Sequence, residues 1–119
     1  MAHPIVGLWK VTVTFGDKEF KTTQNYLPVG QVIIDAGIFV ASGLWEATGE
    51  RSVRTVSVRP IVTGTMMDRE FHGWLDAWGE ATVDEDDILV AEAEFDAVDE
   101  QGQPQKGTAS TRGERVTLR

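Results

Sequence analysis

Apolar and polar residues alternate along most of the chain. In Ile5–Phe15, Trp9, Val11, Val13 and Phe15 share one side, while Leu8, Lys10, Thr12 and Thr14 share the other. A period of two marks a strand with one dry face. Gly16-Asp17-Lys18 supplies the turn, and Glu19–Leu27 returns with Phe20, Thr22, Gln24 and Tyr26 on one side. Pro28-Val29-Gly30 turns again, Gln31–Asp35 is short, and Ala36-Gly37 bends it into Ile38–Thr48, closed by Gly49-Glu50. Val53–Thr63, Glu70–Val83, Ile88–Val98 and Lys106–Leu118 follow. Between them lie a connection at Gly64–Arg69, an acidic turn at Asp84–Asp87 and a loop at Asp99–Gln105. Pro60 has no amide proton for a ladder, so it demands an edge, a bulge or a strand end.

Two stretches carry helix formers, Trp74–Ala81 and Val90–Glu100. Gly73 and Gly79 argue against a helix in the first. In the second, Glu92, Glu94 and Asp96 alternate with Ala91, Ala93, Phe95 and Ala97, which favours a strand. Val, Thr and Ile together supply 32 residues against 6 Leu. Branching at Cβ suits the pleated chain. No repeat or linker divides the 119 residues, so one domain over 1–119 is expected. Strands in up-and-down order protect their edges by closing the sheet. The expected fold is all-β, an eight-stranded antiparallel up-and-down barrel.

Eight strands leave an interior that side chains fill or shape around one small ligand. Residue size separates the two cases. One face of Glu70–Val83 reads Phe71, Gly73, Leu75, Ala77, Gly79, Ala81, Val83. One face of Ile88–Val98 reads Leu89, Ala91, Ala93, Phe95, Ala97, and Lys106–Leu118 carries Gly107, Ala109, Thr111 and Gly113. Small residues on three successive strands predict space for a guest, because empty apolar space is costly. The competing reading has large residues opposite (Trp9, Phe15, Phe20, Tyr26, Phe39, Trp45) filling the gap.

The residues Gly7-Leu8-Trp9 on the first strand of such a barrel resemble the lipocalins and the wider calycin superfamily. His3–Lys10 and Leu44-Trp45-Glu46-Ala47-Thr48-Gly49 are similar to a group of uncharacterised bacterial lipocalin-like proteins. The resemblance implies that Trp9 plugs one barrel end, with a basic residue of the last strand, Arg112 or Arg115, packed over it. It also implies binding of a small apolar molecule. Some calycin-like barrels are enzymes, including decarboxylases and cyclases, so it permits catalysis as well. Lipocalins are longer, usually exported and disulfide-bonded, and carry a helix after the barrel; this chain has no cysteine.

Charge and composition narrow the partners. A net charge of −8 disfavours nucleic acid and anionic membrane. With no cysteine, thiolate catalysis and Cys-ligated zinc are excluded. His3 and His72 are too few and too distant for a zinc triad, and no metal or cofactor is expected. No nucleophile elbow, P-loop or dinucleotide fingerprint occurs. No export signal opens Met1–Ile5, so a cytoplasmic location is expected.

The acid/base candidates lie on the sixth and fourth strands. Glu70, His72, Trp74, Asp76, Trp78 and Glu80 share one face of the sixth. Facing inward, His72 and Asp76 would form a dyad suited to isomerisation, elimination or cyclisation. Facing outward, which the small opposite face favours, Trp74 and Trp78 would be exposed and would suit a homodimer. Glu46, if inward, would have a raised pKa and act as a general acid; a rim salt bridge to Lys10 or an arginine is the plainer reading. Asp35 reads as a loop cap, and Arg51, Arg54 and Arg59 as balance for the acid-rich seventh strand. Asp84–Asp87 reads as a solvated turn, since it lacks a calcium-loop pattern.

The function expected is binding of a small apolar molecule inside the barrel. Trp9, Phe20, Tyr26 and Trp45 would line the cavity from the first half of the chain, and Phe71, Leu75, Leu89 and Phe95 from the second. The alternatives are a cofactor-independent cyclase, isomerase or lyase using Glu46, His72 and Asp76, and a filled interaction module.

Overall fold

The computed structural model describes residues 2–35, 40–66, 69–98 and 104–118, with the side chains of 15, 57–66, 69–75, 97–98 and 105 excepted. Eight antiparallel strands run in sequence order: β1 (Gly7–Phe15), β2 (Lys18–Tyr26), β3 (Gln31–Asp35), β4 (Val40–Ala47), β5 (Ser52–Met66), β6 (Arg69–Val83), β7 (Ile88–Val98) and β8 (Pro104–Arg115). Each pairs with its neighbours in the chain, and β1 pairs with β8 from Trp9↔Arg115 to Thr14↔Ser110, closing the barrel. The expected fold class is therefore observed. Trp74–Ala81 and the described part of Val90–Glu100 are strands, because their alternation matches the pleat and not a helix. Among the described residues no helix is long and apolar enough to cross a membrane.

The strand limits differ most at β5, β6 and β8. β5 continues through the expected connection to Met66 and β6 starts at Arg69. β8 runs from Pro104 to Arg115 rather than to Leu118. The extension of β5 and β6 has a plain cause. The two pair with each other out to Met66↔Arg69, whereas β4 reaches only Val58 and β7 only Leu75. Their distal halves form a two-stranded ribbon beyond the barrel. Pro60 falls past the last β4 pair and just before the irregular register at Ile61/Gly64, where its missing amide proton interrupts no second ladder.

Alternation decides what is inside. Trp9, Val11 and Val13 of β1, Thr22, Gln24 and Tyr26 of β2, and Val32 of β3 are buried. So are Val53 of β5, Ala81 and Val83 of β6, Leu89 and Phe95 of β7, and Ala109 and Thr111 of β8. The intervening residues face solvent. The odd-numbered face of β6 is thus the inner one wherever its side chains are described.

One end of the barrel is sealed. Ile5, Trp9, Val53 and Leu89 are 0% exposed, and Val11, Val32 and Val83 only 1%. The Trp9 indole nitrogen donates to the Ile5 carbonyl at 2.8 Å. The Arg115 guanidinium lies 4.3 Å from the centre of the Trp9 ring. It donates to the carbonyls of Val6 (2.7 Å) and Pro4, and its Nε donates to Asp87 at 2.8 Å. A cation over an indole face, with its donors satisfied, seals the end without leaving a charge unpaired. Gly7 has φ +135°, and a Cβ there would collide with the Arg115 guanidinium. The Gly7-Leu8-Trp9 spacing thereby acquires a cause: the glycine makes room for the cation that covers the tryptophan.

The acidic turn supplies the anchor for that cation. Asp84 Oδ1 accepts from the amides of Asp86 (2.9 Å) and Ile88 (3.0 Å), which folds the turn. Asp87 takes φ 60°, a conformation Asp tolerates better than most residues. Its hydrogen bond to Arg115 holds its carboxyl below the usual carboxylate range. Arg51 ties the same corner by donating to the carbonyls of Val83 (2.6 Å) and Asp84.

Candidate functional site

Further along the barrel the same inner faces change size. β7 reads Leu89, Ala91, Ala93, Phe95 inward, large at both ends and small between. β2 reads Tyr26, Gln24, Thr22, Phe20. The small positions meet across the barrel and border a pocket of about 130 Å³. Its wall includes the aromatic rings of Phe20, Tyr26 and Phe95, with Val13, Val32 and Ile34 beside them. Ala41, Ala77, Ala91, Ala93 and Ala109 supply short side chains, and Thr22, Gln24, Thr55 and Thr111 supply the polar atoms.

The alanines open this space and the glycines do not. A Cβ on Gly107 would strike the Phe95 ring, and one on Gly113 would strike the Val11 side chain. On Gly79 it would meet the backbone of β7. Each glycine admits a neighbour's bulk, so its volume is already used. The expectation that all the small residues of β6, β7 and β8 leave room is corrected to that extent.

Three polar side chains of the wall, Thr22, Gln24 and Thr111, are buried. Tyr26 donates from its hydroxyl to Gln24 Oε1 at 2.9 Å, in a buried pair. Burial pushes the Tyr26 phenol well above its ordinary pKa, so it stays neutral and keeps that proton. Thr22 is 6% exposed, and its Oγ1 has no hydrogen-bond partner among the described residues. Buried polar groups are normally paired, so this hydroxyl calls for an explanation.

The candidates from the sequence fall into five groups. Phe20, Tyr26 and Phe95 are on the pocket wall. Trp9 and Leu89 are fully buried in the sealed end and are not on that wall. Trp45 is half-buried against the core; its indole nitrogen donates to the Leu27 carbonyl at 2.9 Å, and its ring lies 5.7 Å from that of His3. The side chains of Phe71, Leu75, His72 and Trp74 lie outside the described residues.

The two remaining acids lie on the outer surface. Glu46 accepts from Arg54 Nη2 at 2.8 Å, with about two-thirds of its side chain exposed. This is the arginine salt bridge weighed above, in place of an interior acid. Asp76 is exposed beside Trp78, whose indole nitrogen donates to Glu94 at 2.8 Å. The polar face of β6 is therefore outward over its described part, as the small opposite face implied.

Thr22 and Gln24 were not among the candidate site residues, although the signal for them was present. They share the period-two face of Phe20 and Tyr26, so a face that puts those rings inside carries both polar side chains with it. Asp87 was also missed, since only the register of β7 on β8, Ile88↔Glu114, brings Arg115 to the β6–β7 turn.

No protein-family model matches the chain, and no curated protein is found to be similar to it.

Proposed function

We propose that this protein binds a small, largely apolar molecule inside its barrel, as the resemblance to lipocalin-like calycin proteins implies. The observation that carries the reading is the contrast within single strands. Alanines hold a pocket of about 130 Å³ open between rings, while the adjoining end is packed to zero exposure. A chain able to fill its core so tightly at one end has the residues to fill it throughout. An apolar cavity of about 150 Å³ takes a guest the size of benzene. Pockets for drug-sized molecules run to about 300–1,000 Å³. The guest is therefore the size of a single ring or a short chain. With so few atoms the affinity falls at about the micromolar-to-millimolar level.

The test is a titration of isotope-labelled protein with toluene, followed by amide and indole resonances. Saturable shifts at Thr22, Ala93 and Phe95, with the Trp9 indole unmoved, are the expected result. Resonances that stay fixed, or drift linearly at every site, would overturn the reading.

A further inference from the structure

We propose that the guest is neutral and carries one hydroxyl or carbonyl group, which the Thr22 hydroxyl reads inside the pocket. The inference rests on the binding reading above and adds the chemical class of the ligand. Thr22 is more than nine-tenths buried, lines the pocket, and has an Oγ1 with no partner among the described residues.

The fold does not need that hydroxyl. Valine has the same shape and a similar preference for strands, and it would leave no polar atom unpaired. Backbone pairing does not use it either, because the β2 ladder is made by main-chain groups and the side chain points inward. The neighbouring polar pair is already matched, since the Tyr26 proton goes to Gln24 Oε1. Thr22 is thus placed to donate to a carbonyl or to accept from a hydroxyl brought in by the guest.

The surroundings exclude a charged guest. Among the described residues the wall has no lysine, arginine or histidine, and its one charged residue, Glu92, is exposed and shares the outward parity of β7, so an ion of either sign would find no counter-charge inside. A carboxylate carried in would lose its water and gain no cation. The net charge of −8 opposes its approach as well. A neutral group needs only one hydrogen bond, which Thr22 supplies.

The experiment compares benzene, phenol and benzoate by amide-shift titration of the wild-type protein, Thr22→Val and Thr22→Ser. Thr22→Val is expected to weaken phenol about tenfold while changing benzene less than twofold. Thr22→Ser keeps the hydroxyl and should hold phenol within about threefold of wild type. Benzoate should show no saturable binding. The proposal is overturned if Thr22→Val leaves phenol affinity unchanged, or if benzoate binds as well as phenol. Benzene binding with that outcome removes this inference alone. Saturation by neither benzene nor phenol removes the binding reading and this one together. Should Thr22→Val fail to fold, Thr22→Ala gives the same comparison.

Discussion

The two ends of the described inner face are built from the same strands and behave differently. At the sealed end, β1, β6 and β7 present Trp9, Val83 and Leu89, none more than 1% exposed. Four to six residues along, the same strands present Val13, Ala77 and Ala93, and a pocket lies between them. Strand pairing is equally regular in both places. The difference lies in side-chain volume alone, which shows that the backbone of a small barrel does not decide whether it is filled. The sealed end also carries the buried tryptophan, its covering cation and the turn that anchors that cation. The pocket carries the Thr22 hydroxyl, which has no partner among the described residues. Tight packing is concentrated in one region and open space in the other.

Substitutions that treat the two regions as separate should succeed in doing so. The largest effect belongs to Trp9→Ala, which empties the plug and leaves Arg115 over nothing. It should lower unfolding stability by about 3–5 kcal/mol in a denaturant titration, enough to unfold much of a domain this size. Gly7→Ala should come next. Its φ of +135° and the Arg115 contact both resist a methyl group. A loss of about 1–3 kcal/mol is expected from the same titration, with the fold retained.

In the pocket the sign reverses. Thr22→Val removes a buried unpaired hydroxyl without changing shape, and should raise stability of the ligand-free protein by about 1 kcal/mol. A loss of similar size would place Thr22 among the packing residues and dissolve the contrast.

The smallest effect is pH-dependent. The Asp87 carboxyl is held low by Arg115, so the folded state binds its proton less readily than the unfolded chain does. The stability from the pair is then present above the ordinary carboxylate pKa and lost as pH falls through the lowered value. Half the Asp87 side chain is exposed, and solvent screening keeps the pair below about 1 kcal/mol. The wild-type advantage over Asp87→Asn should therefore be full at neutral pH and shrink below about pH 4. An advantage constant down to pH 2 would assign Asp87 a purely steric role.

The fold was legible because period-two alternation and turn residues are local signals, and both survived closure. The ends of β5 and β6 were not, since how far a ribbon extends depends on where β4 and β7 stop. The choice between Arg112 and Arg115 was decidable. Arg115 shares the parity of Ala109, Thr111 and Gly113, all inward, and Arg112 does not. The glycines misled for a different reason. Whether Gly107 leaves a hole depends on Phe95 beside it on β7, and that pairing is set by register between strands. On β2 a threonine between aromatic residues has no local signature of its own, and only the period of two that buries Phe20 and Tyr26 places Thr22 inside.

A binding role requires that the pocket admit a guest. The most direct measurement is the rise in thermal midpoint on adding toluene, compared between the wild type and Ala93→Leu. A ligand that binds only the folded state stabilises it by about 2.7 kcal/mol at a hundredfold excess over Kd. The wild-type midpoint should rise with toluene concentration, and that of Ala93→Leu, whose added carbons fill the space, should stay fixed. Equal rises in both proteins, or none in the wild type, would contradict an interior site.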